Sequence, residues 1–378
     1  MDSILGHIVY TGTDVLENVY VNMEGATIAG VTPEPAGALV GEYPVITPAF
    51  IDAHSHIGMS RAGEPSAEAE TNEHMDAMLP HADALDSVQM DDSGFMDSIE
   101  AGVLYSCVVP GSGNIIGGNS AVIRNYGKNT SAALIRRAGI KAAFGYNPMS
   151  TREWKGTRPF TRMGALAILR AKLHDVRQKM AKEKTKEDAD VTYSAEEMVY
   201  KSLLSGAERL RVHVHKSDDV AALLRFVDEF GLKVTIEHTC DVHEVETYRE
   251  LKARGIPVIY GPMDTLAYKV ELKHENWRNI KYLIESGVEF GLMTDHPVIL
   301  QKMLFFELRW FLRMGFSKQQ ALEIITRENA KILGVADILG TLAPGKWASF
   351  VGWNGDPFSL ESYPLVAYGE GQPVYREA

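Results

Sequence analysis

Phe50-Ile51-Asp52-Ala53-His54-Ser55-His56 is the stretch on which the fold turns. It begins as a short apolar run of strand character and ends on two histidines one residue apart. On an extended backbone, side chains two positions apart leave from the same face, so both imidazoles can close on one metal ion. The pairing returns as His213-Val214-His215, and His238 and Asp295 stand at the ends of two further apolar runs. A metal site made from strand ends needs a sheet that brings those ends together.

From Thr47 onward, short apolar runs alternate with longer segments of helical periodicity, the pattern of repeated βα units around a parallel sheet. The predicted strands are 50–53, 102–109, 121–124, 140–144, 210–214, 234–237, 256–260 and 288–293, with helices at 163–180, 218–230, 242–253 and 277–286. Eight strands are what a (β/α)8 TIM barrel needs, and in such barrels the chemistry lies at the C-terminal strand ends. His54, His56, His213, His238 and Asp295 all fall there and are the predicted metal ligands. An N-cap is the plainer role for Asp295, but a cap needs no histidines aimed at it. The other histidines fall in loops or helices, apart from His296, which would point away from Asp295 on an extended strand. Both chain ends read as short β-branched pieces broken by Gly and Pro. The expected organisation is a β-sandwich accessory domain built from 1–47 and 340–378, with the barrel spanning 48–339.

Composition narrows the class of protein. With 378 residues, 45% of them hydrophobic, the chain can bury a large core. A formal net charge of −12 argues against nucleic acid as the partner, since phosphate binding depends on clustered Lys and Arg. The mixed-charge window 182–190 reads as a solvated insertion. Cys107 and Cys240 lie in apolar runs, which suits buried thiols rather than a disulfide framework. The start of the chain carries neither the basic region nor the apolar stretch of a secretory signal, and no apolar run has membrane-spanning length, so a cytoplasmic location is expected.

The motifs resemble the metal-dependent amidohydrolase superfamily. The segment 46–56, Ile-Thr-Pro-Ala-Phe-Ile-Asp-Ala-His-Ser-His, is similar to its first barrel strand. Val212-His213 resembles its fifth, Ile236-Glu237-His238 its sixth, and Met293-Thr294-Asp295-His296-Pro297 its eighth. Thr71-Asn72-Glu73, Pro110-Gly111-Ser112-Gly113-Asn114 and Thr161-Arg162-Met163-Gly164 are closest to the imidazolonepropionase-related, prolidase-like branch. The resemblance implies a metal-dependent hydrolase of C–N bonds, amide or cyclic amide, with dipeptidase-like action as one form. It implies a small-molecule substrate, and a homodimer is the family-level expectation. Neutral imidazoles and a carboxylate suit Zn²⁺, with Mn²⁺ or Fe²⁺ as alternatives. Asp295 is then the general base, taking a proton from the attacking water and passing it to the departing nitrogen.

Departures from the family pattern are equally informative. Many relatives bridge two metals with a carboxylated lysine or a glutamate at the end of the fourth strand, where this chain has Tyr146. Lys141 lies about 16 Å short of that position at strand rise. The reading is therefore one ion rather than two, without Lys141. Tyr146 either polarises the substrate carbonyl or packs as a rim aromatic. His213 is the expected fifth-strand ligand and His215 the substrate contact, with the reverse also open because both rings share a face. Lys216 replaces the glutamate of deaminase-like members. The stretch 58–92 is expected to cover the barrel mouth. Of Arg152, Arg158 and Arg162, the last is the predicted clamp for a substrate carboxylate. A metal-dependent lyase or decarboxylase on the same barrel, and a catalytically silent scaffold, remain as alternatives.

Overall fold

The computed structural model describes residues 1–149, 158–185 and 191–377; Arg152 and residues 186–190 lie outside the described residues. Fifteen strands occur among them. Those before the barrel are β1 (Asp2–Tyr10), β2 (Val15–Glu24), β3 (Thr27–Thr32) and β4 (Ala38–Pro48). The barrel strands are β5 (Phe50–Ser55), β6 (Val103–Val108), β7 (Ile116–Arg124), β8 (Leu134–Ala143), β9 (Leu210–Val214), β10 (Val234–His238), β11 (Val258–Tyr260) and β12 (Phe290–Leu292). The chain ends with β13 (Phe350–Trp353), β14 (Pro364–Gly369) and β15 (Gln372–Arg376).

Residues from both ends of the chain share one sheet, ordered β15-β14-β13-β4-β1-β2-β3. It is a single continuous seven-stranded sheet, where the sequence suggested a two-sheet sandwich. The reason lies at its centre: β4 pairs with β1 in parallel on one side and with β13 antiparallel on the other, so the two ends of the chain join edge to edge. Ile4, Val21, Ile28, Ile46, Phe350 and Val366 pack together as its core.

The second sheet holds β5 to β12 in sequence order and is a nearly closed eight-stranded barrel. Every residue of β5, β6, β9, β10 and β11 is buried, as strands covered on both faces require. Helices cover the outside; Ser217–Phe230 places Val220, Leu223, Leu224, Phe226 and Phe230 inward and stops at Gly231, whose φ of 69° suits a residue without Cβ. One strand breaks the expected βα repeat. β7 runs antiparallel to both β6 and β8. The connection 109–115 is too short for a parallel crossover, which takes a dozen residues or more, so the chain turns back on itself. Cys107 and Cys240 are buried free thiols. Among the described residues no helix is long and apolar enough to cross a membrane.

Closure of the barrel falls to a few polar contacts. Asp295 N donates to His54 O (3.1 Å) and His56 N to His296 O (3.0 Å). Below them, buried Asn329 donates to Ile51 O (2.6 Å) and Leu292 O (2.8 Å) and accepts from Leu292 N (3.0 Å). It is delivered by a π-helical turn at Ile324–Glu328. Gly291 makes room for it: a Cβ there would lie 1.9 Å from Asn329 Oδ1. Asn329→Ala would leave three buried backbone groups unpaired, each costing roughly 1–3 kcal/mol. The expected loss of unfolding free energy in urea is about 3 kcal/mol or more; a loss under about 1 kcal/mol would show that this side chain does not hold the barrel closed.

Candidate active site

Five imidazoles meet at the C-terminal ends of the barrel strands. His54 is on β5 with His56 just past its end, His213 is on β9 with His215 just past its end, and His238 closes β10. Ring centroids of His238 lie 5.1 Å from His54, 4.1 Å from His213 and 4.7 Å from His215; His54 and His56 are 5.3 Å apart. Asp295, beyond β12, brings Oδ1 to 3.3 Å from His54 Nε2 and 3.1 Å from His56 Nε2. His238 (φ 80°) and Asp295 (φ 51°) both sit in the left-handed region, a strained conformation for non-glycine residues that turns the end of each strand into the mouth. His296 instead accepts from Gln301 N through Nδ1.

Second partners aim the rings. His54 Nδ1 bonds Glu237, His56 Nδ1 bonds Val109 O (2.7 Å), and His238 Nδ1 bonds Gly261 O (3.0 Å), so each Nε2 is left facing the site. Two overlapping groups have ligand atoms within 4.8 Å of one another: His213, His215 and His238, and His54, His238 and Asp295. His213 Nδ1, His238 Nε2 and both nitrogens of His215 are buried with no hydrogen-bond partner. Buried polar atoms of this kind need a partner, and a divalent cation fits the donor set. Burial, reinforced by neighbouring positive groups, holds His213, His215 and His238 well below the usual imidazole range, so their lone pairs are available. Burial opposes ionisation of Asp295, but hydrogen bonds from His54 and His56 outweigh it and keep the carboxyl well below its ordinary value.

A charged cluster lies beneath the histidines. Glu237 is fully buried, its Oε1 2.6 Å from Arg211 Nε and its Oε2 bonded to His54. Burial pushes its carboxyl up, yet Arg211, His54 and Lys141 bring it down to about 2. Lys141 Nζ is 3.8 Å from Glu237 and 3.2 Å from His54 Nε2, and burial lowers its ammonium to about 8. The exclusion of Lys141 from the site is thereby corrected. Strand rise measures backbone separation, whereas this long side chain reaches inside the barrel to the metal-ligand level, which lies below Tyr146. Glu237 had been read only as part of a strand motif.

Above the histidines is a cavity of about 600 Å³ lined by His56, Asp295, Tyr146, Asn147, Ser112 and Lys269, among others. The stretch 58–92 contributes Ser60, Thr71 and Asn72 to its wall. Interlocking amides hold it there: Asn72 accepts from Gly113 N (2.7 Å), and Asn114 donates to Glu73 O and Asp76 O. Gly111 leaves room for Asn72 at this crossing: a Cβ there would lie 2.4 Å from Asn72 Oδ1 and force that side chain to shift. Two residues had no sequence signal, Lys269 in the wall and Glu271 beside the histidines. Glu271, fully buried, lies 3.3 Å from His213 Nε2 and 3.8 Å from His215 Nε2, and Lys269 Nζ is 3.4 Å from Glu271. Burial works against the Lys269 charge, but Glu271, Tyr268 and Asp295 together outweigh it and raise its pKa. With its amide nitrogen donating to Glu271 (2.8 Å), Asn147 accepts from Lys269 (3.3 Å) and Ser112 (2.7 Å) through its oxygen. Both residues lie between β11 and β12, in a segment without helical or strand periodicity.

Arg162 does not reach this cavity. Its guanidinium pairs with both oxygens of Asp219 (2.6 and 3.2 Å) and lines a separate, smaller pocket with Phe144 and Gly145. The sequence placed it near the fourth-strand end, but the helix Arg162–Thr185 that it begins turns it onto Asp219 at the start of the helix Ser217–Phe230. Arg158 donates to Glu73 O (2.8 Å).

Comparison with known proteins agrees with this geometry. A structure of an amidohydrolase from Thermotoga maritima MSB8 is 31% identical, with a TM-score of 0.92 and full coverage of both chains. A prolidase complexed with N-methylphosphonate-L-proline is 17% identical over the whole of both chains, with a TM-score of 0.65, a likeness of fold. Amidohydrolase tasK of Hapsidospora irregularis is 25% identical over 370 residues, 91% of this chain; the match spans only 38% of that longer protein. Residues 45–374, most of the chain and all of the barrel, match the amidohydrolase family, and the protein belongs to that family.

Proposed function

We propose that this protein hydrolyses the C–N bond of a small amide or cyclic amide that carries a carboxylate, such as an N-acyl amino acid or a dipeptide. The observation that carries the reading is the convergence of partnerless imidazole nitrogens of His213, His215 and His238 with His54 and Asp295, next to a cavity lined by His56, Asp295 and a cationic Lys269. His54, His56, His213, His238 and Asp295 would hold a divalent ion of the Zn²⁺ class. When bound, such an ion polarises a carbonyl and lowers the pKa of water. Asp295, kept ionised, accepts a proton from the attacking water and delivers it to the departing nitrogen, so the proton count balances. His215, partnerless on both ring nitrogens and grouped with His213 and His238, is assigned to the substrate or the attacking water, and Tyr146 on the wall donates to the substrate oxygen. Lys269 replaces Arg162 as the counter-charge for the carboxylate.

Asp295→Asn keeps the shape and removes the proton acceptor. The expected fall in kcat, corrected for bound metal, is roughly 10²–10⁴-fold on the best substrate from an N-acyl amino acid and dipeptide library; a loss below tenfold would remove Asp295 as the base. Lys269→Met should raise KM for carboxylate-bearing substrates about 10–100-fold and leave neutral amide analogues unchanged. Equal effects on both would assign Lys269 a purely structural role.

Lys141 favours a second reading, a two-ion centre. Its amine, lowered to about 8 by burial and 3.2 Å from His54 Nε2, has enough neutral fraction to add CO₂ with loss of a proton, and the resulting carbamate oxygens would offer ligands for a second ion. Protein reconstituted in bicarbonate would then hold about two equivalents at the catalytic centre, falling to about one in Lys141→Met. Unchanged content in that variant would return the single-ion centre.

A further inference from the structure

Outside the barrel mouth, a third group of ligand side chains has no part in the reaction above. Asp241, His243 and His274 each bring a ligand atom within 4.8 Å of the others. None of them lines the catalytic cavity. The two imidazoles lie against each other, ring centroids 4.5 Å apart at 41°. Asp241 is buried, while the His274 side chain is 44% exposed, so the group opens to solvent on one side.

The arrangement is prepared for a cation in three ways. His243 Nδ1 bonds Asp241 O (2.8 Å), which commits its proton there and leaves Nε2 as the ligand atom. Asp241 accepts from His274 N and lies 3.3 Å from His274 Nδ1, so one carboxylate holds both the backbone and the ring of the second histidine. Asn279 donates to Cys240 O (3.1 Å) and His274 O (2.8 Å), fixing the two segments side by side without occupying a ligand. Acidic groups gather beside it: burial, then Asp264 and Asp241, push the neighbouring Glu275 carboxyl up. A tetrahedral Zn²⁺ with bonds of about 2.0–2.1 Å needs its donors about 3.3 Å apart, a closure that partly exposed rings reach by rotating.

We propose that Asp241, His243 and His274 form a second divalent-metal site of the Zn²⁺ class, separate from the catalytic centre. Two imidazoles and one carboxylate favour Zn²⁺, Co²⁺, Ni²⁺ or Cu²⁺ over Mg²⁺ or Ca²⁺, and the open side leaves a position for water. The site clips the end of β10 to the segment 261–279, which carries Lys269 on the cavity wall and Glu271 beside His213. Occupancy therefore stiffens the wall that recognises the substrate.

The test uses the full-length protein, stripped with chelator and dialysed against buffered Zn²⁺. Its metal content is compared with His243→Ala/His274→Ala and with His81→Ala, an exposed loop histidine as control. Wild type and the control should hold about one equivalent more than the double variant. Hydrogen exchange in 261–279 should slow on Zn²⁺ addition in wild type but not in the double variant. Equal metal content in wild type and double variant, or an equal loss in the control, would overturn the proposal. So would Zn²⁺-dependent protection of 261–279 that survives in the double variant.

Discussion

A fully buried carboxylate at the centre of the barrel is the constraint on which this site depends. Glu237 faces Arg211 at 2.6 Å, bonds His54 and lies 3.8 Å from Lys141, all of them buried. Removing ions from water costs several kcal/mol each, and mutual attraction offsets that only when geometry is good and the remaining hydrogen bonds are made. Arg211 meets the second condition by donating to Ala53 O (2.7 Å), one residue before His54. The network thus sets both the position of the β5 end and the orientation of its first imidazole. Above it, burial is the largest influence on His54, His213, His215 and His238 and lowers all four imidazoles.

Barrel closure is the second half of the same arrangement. Asp52 accepts from His54 N (3.3 Å), from Thr294 N (3.2 Å) and from the Thr294 hydroxyl, joining the first and last strands one residue below Asp295. Burial is what pushes the Asp52 carboxyl up to about 7, and the hydrogen bonds from Thr294 and His54 pull against it. These contacts, with Asn329 beneath, bring an acid from residue 295 against histidines from residues 54 and 56. Two separated segments could not hold 3.1 and 3.3 Å contacts through loop chemistry alone.

Function is layered from floor to rim. The clustered histidines stand at rigid strand ends, the placement precise chemistry favours, and the covering segments line the cavity above them. The motif residues Thr71-Asn72 and Gly111 to Asn114 tie one covering segment down by amide bonds to backbone. The other, between β11 and β12, is tied by Glu271 to His213 and to Tyr146 N (3.3 Å), so cavity wall and ligand cluster move together.

The eight barrel strands, the histidines at their ends and Asp295 could be read from the chain because period-two geometry and apolar runs are local properties. The helix Ser217–Phe230 was legible for the same reason, through its apolar spacing and terminal glycine. The reversal of β7, the single accessory sheet, the inward reach of Lys141, the pairing of Arg162 with Asp219 and the roles of Glu237, Lys269 and Glu271 were decided only by tertiary structure. Each depends on which distant groups meet: a lysine's reach matters only once the barrel interior is drawn, and an arginine binds substrate only if no acid claims it first. Sequence determined which chemistry was available at the strand ends, and packing decided which charges would face one another there.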